Sequence, residues 1–414
     1  MEPITNYTVE DTSKCALQAT SEGADAFVNA RFGMSIHWGL YALEGRGEWV
    51  MHVESIPLAE YRKRMQRFNP VRFNAEEWAD LMLEAGQKFL FITSKHHDGF
   101  CMFDSAHTQF KVTNSAFGRD PIAELAEALH QRGIGLHLYY SLLDWTHPAY
   151  RSDWPAYVAY YQAQLRELLT NYGRIDGILF DGYWPRFKFT GGDTYFAPGG
   201  PWDLAGTYDL IHTLQPHAVV VNNHHVLPLK GEDYQVWELD MPGENTIGFN
   251  TTDIGDRPRA VWWNLNVGWA YYQAKCEVKQ PEALTRHFMK ALSRDATFVL
   301  NVGPTDLGEI LPAEQDVLRR IGQWLKVNGA AVYGARPLGV AVKGGFVTRA
   351  GERTHVVVTD WPGGEMSLSG LGKKFKSARV LGRASAPVKK SAVGVGLTVD
   401  AVKDADLPAV IALR

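Results

Sequence analysis

Over its first three quarters the chain alternates short apolar runs with longer amphipathic stretches. The apolar runs, bounded by turn-forming residues, predict strands at Phe32–His37, Phe89–Thr93, Gly135–Ser141, Gly177–Asp181, Ala218–Asn222 and Tyr234–Glu238, near Val261–Asn266, and at Thr297–Val302. Between them, apolar residues at helical spacing predict helices at Ala75–Ala85, Pro121–Gln131, Pro155–Leu169, Pro281–Ser293 and Pro312–Val327. Several open on proline, whose fixed φ and missing N–H suit a first helical turn. Strands that alternate with helices pair in parallel, and eight of them predict an α/β fold, a (β/α)8-like barrel. The stretch from Glu244 to Arg259 follows neither period and reads as an irregular loop.

Past Asn328-Gly329 the helical spacing stops. Val340–Val342, Phe346–Thr348, His355–Thr359, Glu365–Leu368, Ala378–Val380, Val395–Val399 and Val410–Leu413 read as short strands separated by turns such as Pro362-Gly363-Gly364. They predict a small C-terminal antiparallel β-sandwich. The expected domains are a catalytic barrel over residues 1–335 and the sandwich over 336–414. With no low-complexity linker between them, the two are expected to be docked.

Composition narrows the function classes. The 414 residues are 45% hydrophobic and 21% charged, with 42 Lys plus Arg against 46 Asp plus Glu, a net charge of -4. That balance, with no basic run, predicts no nucleic-acid partner. No apolar run is long enough to span a bilayer, so no membrane partner is expected. Residues 1–13 lack a basic segment followed by an apolar one, and Cys15, Cys101 and Cys276 are scattered and odd in number. These features predict no signal peptide, no disulfide framework and a cytoplasmic location. No interface pattern predicts an oligomeric state.

In a parallel barrel, chemistry collects at the C-terminal ends of the strands. Here those ends read Ile36-His37-Trp38-Gly39 with Gly47-Glu48-Trp49 beyond, Lys95-His96-His97-Asp98-Gly99-Phe100, Tyr139-Tyr140-Ser141 with Asp144-Trp145, Phe180-Asp181-Gly182, and Asn222-Asn223-His224-His225. A histidine cluster of this kind can hold a metal, but there is no Cys pair, His-x-His or HExxH, and neighbours in an extended strand point to opposite faces. No metal or other cofactor is therefore expected. The alternative is recognition of an uncharged polyhydroxyl ligand, with histidine, carboxylate and indole as partners, and catalysis by two carboxyl groups in different protonation states. Asp181 is the candidate anion, because it closes an apolar run before Gly182. Glu238 is the candidate acid, with Glu48, Asp98, Asp144, Asp233, Asp240 and Glu244 as competitors.

These strand-end strings resemble glycoside hydrolase family 29, the retaining α-L-fucosidases. Phe32-Gly33-Met34-Ser35-Ile36-His37-Trp38-Gly39-Leu40-Tyr41 is similar to the family's FGxFxHWGxYS opening, and Lys95-His96-His97-Asp98-Gly99-Phe100 matches its KHHDGF element. Leu300-Asn301-Val302-Gly303-Pro304 extends a resemblance that spans roughly residues 25–340. It implies that Asp181 is the nucleophile, that Glu238, with Glu244 as fallback, is the acid/base, and that His37, Glu48, Trp49, His96, His97, Tyr140, His224 and Trp269 bind the sugar. It departs from the family after the fifth strand, where Asn222-Asn223-His224 replaces Asn-Asp-Arg and an arginine near the nucleophile is missing. Leu179 also stands where an aromatic residue is common.

The resemblance implies exo-hydrolysis of terminal α-L-fucosides with retention, the partner being a fucosylated oligosaccharide or glycoconjugate. It also implies a transfucosylation side activity and, from Pro242-Gly243, a preference for α-1,3/1,4-linked fucose. Two carboxyl groups about 5 to 5.5 Å apart are expected. A non-catalytic fucose-binding protein and a metal-dependent barrel hydrolase are the competing readings. Of the 13 tryptophans, Trp38, Trp49, Trp145, Trp184, Trp237, Trp262, Trp263 and Trp269 lie at or near strand ends and are expected to surround one sugar-sized pocket.

Overall fold

The computed structural model describes residues 9–183, 200–340, 342–360, 365–367, 371, 377–382, 396–398 and 406–413. Eight parallel strands follow one another in the first 302 residues: β1 Phe32–Ile36, β2 Phe89–Lys95, β3 Gly135–Ser141, β4 Gly177–Asp181, β5 Val219–Asn222, β6 Gln235–Glu238, β7 Arg259–Asn264 and β8 Ala296–Val302. They form one sheet ordered β5-β4-β3-β2-β1-β8-β7-β6, so the barrel is closed except between β5 and β6, for which no ladder pairing is found among the described residues. That seam is stitched at its base by Asp233, whose N–H donates to Val220 O (2.8 Å) while its Oδ2 accepts from Val220 N (2.7 Å).

Alternation along the strands sorts the core into two layers. Phe89, Phe91, Tyr139, Leu179, Val219, Val221, Val236, Ala260, Trp262 and Val299 fill the barrel interior, whereas Leu90, Ile92, Leu138, Tyr140, Ile178, Phe180 and Val220 pack under the helices. The helices start and stop where the caps dictate. Asn74 accepts from the N–H groups of Glu76 and Glu77 ahead of Ala75–Ala85, which ends at Gly86 with φ 79°, and Asp120 accepts from Ala123 N ahead of Pro121–Gln131. The Ser21–Ala30 and Leu204–Leu214 helices were not predicted; the first plugs the base of the barrel with Phe27, packed 4.5 Å from Tyr234 between ring centres.

One irregularity matters for the site. The β2–β3 register shifts between Thr93 and Lys95, leaving Ser94 as an extra residue whose Oγ donates to Tyr139 O. This bulge reverses the facing of the residues after it. Lys95 turns outward to pair with Asp144 (3.2 Å) over the Tyr140 ring, and His96 turns inward.

Beyond the barrel, Arg336–Pro337, Gly345–Ala350, Arg353–Val358, Ala378–Val380 and Ala409–Leu413 form a five-stranded antiparallel sheet, and Glu365–Ser367 pairs with Gly396–Thr398. Of the strand expected at Val340–Val342, Ala341 lies outside the described residues and Val342 forms an isolated bridge with Gly345. The sheet is docked on the barrel: Val357 and Val410 belong to the barrel's outer core, and Trp324 Nε1 donates to Pro408 O (2.7 Å).

Candidate active site

The C-terminal ends of the strands enclose a cavity of about 240 Å³. Going round the mouth, β1 to β3 contribute Ser35, His37, His96 and Tyr139, with Glu48 and Trp49 from the loop after β1. Leu179 and Asp181 come from β4, Asn223 and His225 follow β5, Glu238 ends β6, and Phe249, Trp262 and Trp269 close the ring. Among these lining residues there is no lysine or arginine.

Asp181 is the last residue of β4, and its carboxylate is held by three donors. Tyr139 O–H donates to Oδ2 (2.5 Å), Asn223 Nδ2 donates to Oδ1 (3.3 Å), and the Gly182 N–H also bonds it. His97 Nε2 stands 3.7 Å from Oδ2. Burial pushes the Asp181 carboxyl up, and the three donors pull it back, to about 6. Gly182 has φ 79°, and a Cβ there would come within 2.6 Å of Leu143 Cβ, so this turn demands glycine.

Glu238 faces Asp181 across the seam. Burial, the Asp181 charge and the Glu48 charge raise its carboxyl to about 8, against hydrogen bonds from Asn223 (Nδ2 to Oε2, 3.0 Å) and the Trp269 side chain. One amide nitrogen thus serves both carboxyl groups. Two acceptors 3.3 and 3.0 Å from the same nitrogen lie at most about 6.3 Å apart, and about 5.5 Å apart at the roughly 120° spread of its two N–H bonds. Around pH 7, Asp181 is mostly anionic and Glu238 mostly protonated.

The opposite wall is built for neutral hydroxyls. Asn301, on β8, donates through Nδ2 to Trp269 O (2.6 Å), so its Oδ1 accepts from His37 Nδ1–H (2.8 Å). This fixes the His37 tautomer and leaves Nε2 as an acceptor. Burial pushes His37 down to about 4 and holds His96 and His97 well below the usual imidazole range, so all three are neutral near pH 7. Glu48 accepts from Ala270 N (3.2 Å), and burial raises its carboxyl. His96 stacks on Tyr139 at 5.3 Å, and Trp269 lies 5.2 Å from His37.

Several expected site residues sit elsewhere, mostly for one reason, the alternation of faces along a strand. Tyr140 points outward and donates to Gln164 Oε1 (2.7 Å); the inward tyrosine is Tyr139. His224 turns away from the cavity to bond both oxygens of buried Glu232 (3.0 and 3.1 Å), and its neighbours Asn223 and His225 line the cavity instead. The position beside Asp181 where an arginine was missed is served by the neutral Asn223 amide. His97 is a neighbour of Asp181 rather than part of the lining, its Nδ1 bonded to Ser141 Oγ (2.6 Å). Glu244 pairs with Arg294 (2.6 Å) and Lys290 (3.0 Å) outside the cavity.

The tryptophan ring is thinner than expected. Trp49, Trp262 and Trp269 line the cavity, and Trp145 packs behind Trp49 at 5.2 Å. Trp38 and Trp237 are fully buried on the outer face of the barrel wall, Trp263 packs on His287 at 4.4 Å, and Trp184 lies outside the described residues. His225 belongs to the strand-end histidine cluster expected to share a pocket, whereas Tyr139, Asn223, Phe249 and Asn301 are not singled out by the sequence. The alternation that places Leu179, Phe91 and Val299 inward would have selected Tyr139 over Tyr140 and Asn301 on β8; Asn223, His225 and Phe249 lie outside the strands, where alternation gives no signal.

The sequence matches the alpha-L-fucosidase family profile over residues 5–330. It is 26% identical over 371 residues to tissue alpha-L-fucosidase of Homo sapiens, an alignment covering 81% of this chain and 75% of that protein. Among solved structures, alpha-L-fucosidase isoenzyme 1 from Paenibacillus thiaminolyticus superposes with a TM-score of 0.82 at 31% identity, covering 95% of this chain and 99% of that one. An alpha-L-fucosidase from Bacteroides thetaiotaomicron superposes with a TM-score of 0.80 at 25% identity, covering 96% of each chain.

Proposed function

The chain belongs to the α-L-fucosidase family, and from that membership we propose that it hydrolyses terminal α-L-fucosyl residues of oligosaccharides or glycoconjugates by double displacement at Asp181 and Glu238. The observation that carries the reading is the Asn223 amide, whose bonds to both carboxyl groups keep the facing oxygens within about 6.3 Å of each other. Two carboxyl groups that share one donor suit the retaining geometry, in which they stand about 5 to 5.5 Å apart.

In the first step the Asp181 carboxylate forms a bond to the anomeric carbon while the bond to the leaving oxygen breaks, and the Glu238 proton passes to that oxygen. In the second, Glu238, now anionic, takes a proton from water, which displaces Asp181 and restores the starting configuration. His37, His96, Glu48 and Trp49 receive the ring hydroxyls, and Trp269 packs on an apolar part of the sugar. Among the described residues the lining holds no lysine or arginine, which suits a reaction in which positive charge develops on the sugar ring.

Interception of the same intermediate by a sugar hydroxyl would give transfucosylation, and Pro242-Gly243 supports a preference for α-1,3/1,4 linkages. Proton NMR of the fresh reaction tests the stereochemical claim: α-L-fucose should be the first product, and β-L-fucose would overturn it. Release of fucose from α-1,2-, 1,3-, 1,4- and 1,6-linked disaccharides tests the linkage claim, which equal rates on all four would refute.

A further inference from the structure

The barrel mouth divides into two sectors of different chemistry. The β1 to β3 sector holds the hydroxyl-type partners His37, Glu48 and His96, whereas the sector around the β5–β6 seam, on the Glu238 side, presents flat rings. His225 and Phe249 line the same cavity, both half-buried, with ring centres 4.6 Å apart. Both are tied to the acid. Asn223, two residues before His225, donates to Glu238 Oε2 (3.0 Å), and Asn250, next to Phe249, donates to Glu238 O (2.8 Å) and accepts from Glu238 N (3.3 Å).

The rings are held before any ligand arrives. His225 adopts the left-handed φ of 61°, and the loop carrying Phe249 is pinned by Asp240, whose Oδ2 accepts from Thr246 N and Asn250 Nδ2 (2.9 Å each).

Because the proton donor must face the leaving oxygen, whatever that oxygen belongs to departs over the Glu238 sector. Resting on the fucosidase reading above, we propose that His225 and Phe249 form a leaving-group platform that stacks a second pyranose ring. The enzyme is thereby directed to fucose linked to another sugar rather than to small leaving groups. Pyranose C–H faces pack on aromatic rings, and a platform preformed by Asp240 and Asn250 binds them without an ordering cost.

The test compares kcat/KM for α-L-fucosyl fluoride, whose leaving group cannot reach the platform, with that for the best-hydrolysed member of a panel of fucosyl disaccharides. Phe249→Ala should lower the disaccharide-to-fluoride ratio by about tenfold, the worth of one stacking contact, and Phe249→Tyr should restore it. His225→Asn, which tolerates the left-handed backbone, should lower the same ratio. An unchanged ratio, whether both substrates hold or fall together, would overturn the platform. No turnover of the fluoride by the unaltered protein would instead overturn the fucosidase reading, and the platform with it.

Discussion

The pH profile is the most exposed consequence of the site. In the proposed mechanism Asp181 must be ionised to attack and Glu238 protonated to donate, and burial pushes their carboxyl groups up to about 6 and about 8. The competent fraction is then about four fifths at pH 7 and falls to about one tenth at both pH 5 and pH 9, a bell in kcat/KM centred near 7. The two limbs belong to the coupled pair, so the perturbation that separates them is Glu238→Gln. Assayed with α-L-fucosyl fluoride, whose departure needs no proton, this variant should lose the alkaline limb and keep an acid one. The assay is the initial rate at substrate well below KM from pH 4.5 to 9.5. An optimum near pH 4.5, or an alkaline limb that survives in Glu238→Gln, would refute the assignment of the buried acid.

Other named contacts carry their own expected outcomes. Tyr139→Phe removes a donor from a buried carboxylate, a bond of about 1.5–3 kcal/mol; kcat/KM should fall about 10- to 100-fold and the acid limb move to higher pH, whereas Tyr140→Phe should lower Tm and leave the pH profile in place. Asn223→Ala removes a bond that favours ionisation of both carboxyl groups, so both limbs should shift to higher pH; a shift of only one would mean the amide does not bridge them. Glu238→Gln should also stabilise the fold. The native Glu238 carboxyl titrates above its unfolded value of 4.5, so ionising it costs stability from about pH 4.5 upward, increasingly until pH 8, on the order of 3 kcal/mol at pH 7. The Tm gain should be near zero at pH 4 and large at pH 7, and an equal gain at both would contradict the raised titration.

The barrel was legible because its strands are apolar runs closed by polar strand ends, so β3 and β4 and the helices Ala75–Ala85, Pro121–Gln131 and Pro281–Ser293 were read to the residue. Asp181, Glu238, His37 and His96 stood out as polar groups at those ends. What could not be read was facing. One position along a strand separates Tyr139 in the cavity from Tyr140 under a helix, and one position in a turn separates His225 from His224. The Ser94 bulge changes the count again, placing Lys95 outside and His96 inside, and nothing local in the sequence announces it. The tryptophans failed for the same reason: Trp262 faces in, whereas Trp237 and Trp263 face out. The seam between β5 and β6, where Asn223 reaches both carboxyl groups, is a tertiary feature with no periodic signature.

The central claim is that Asp181 attacks and Glu238 only passes protons, and azide rescue separates the two roles. With an activated aryl fucoside, Glu238→Ala in azide should yield α-L-fucosyl azide, formed by attack on the intermediate held by Asp181. Asp181→Ala in azide should yield the β anomer, formed by direct displacement. Recovery of β-L-fucosyl azide from Glu238→Ala, or full hydrolytic activity in Asp181→Ala, would contradict the account.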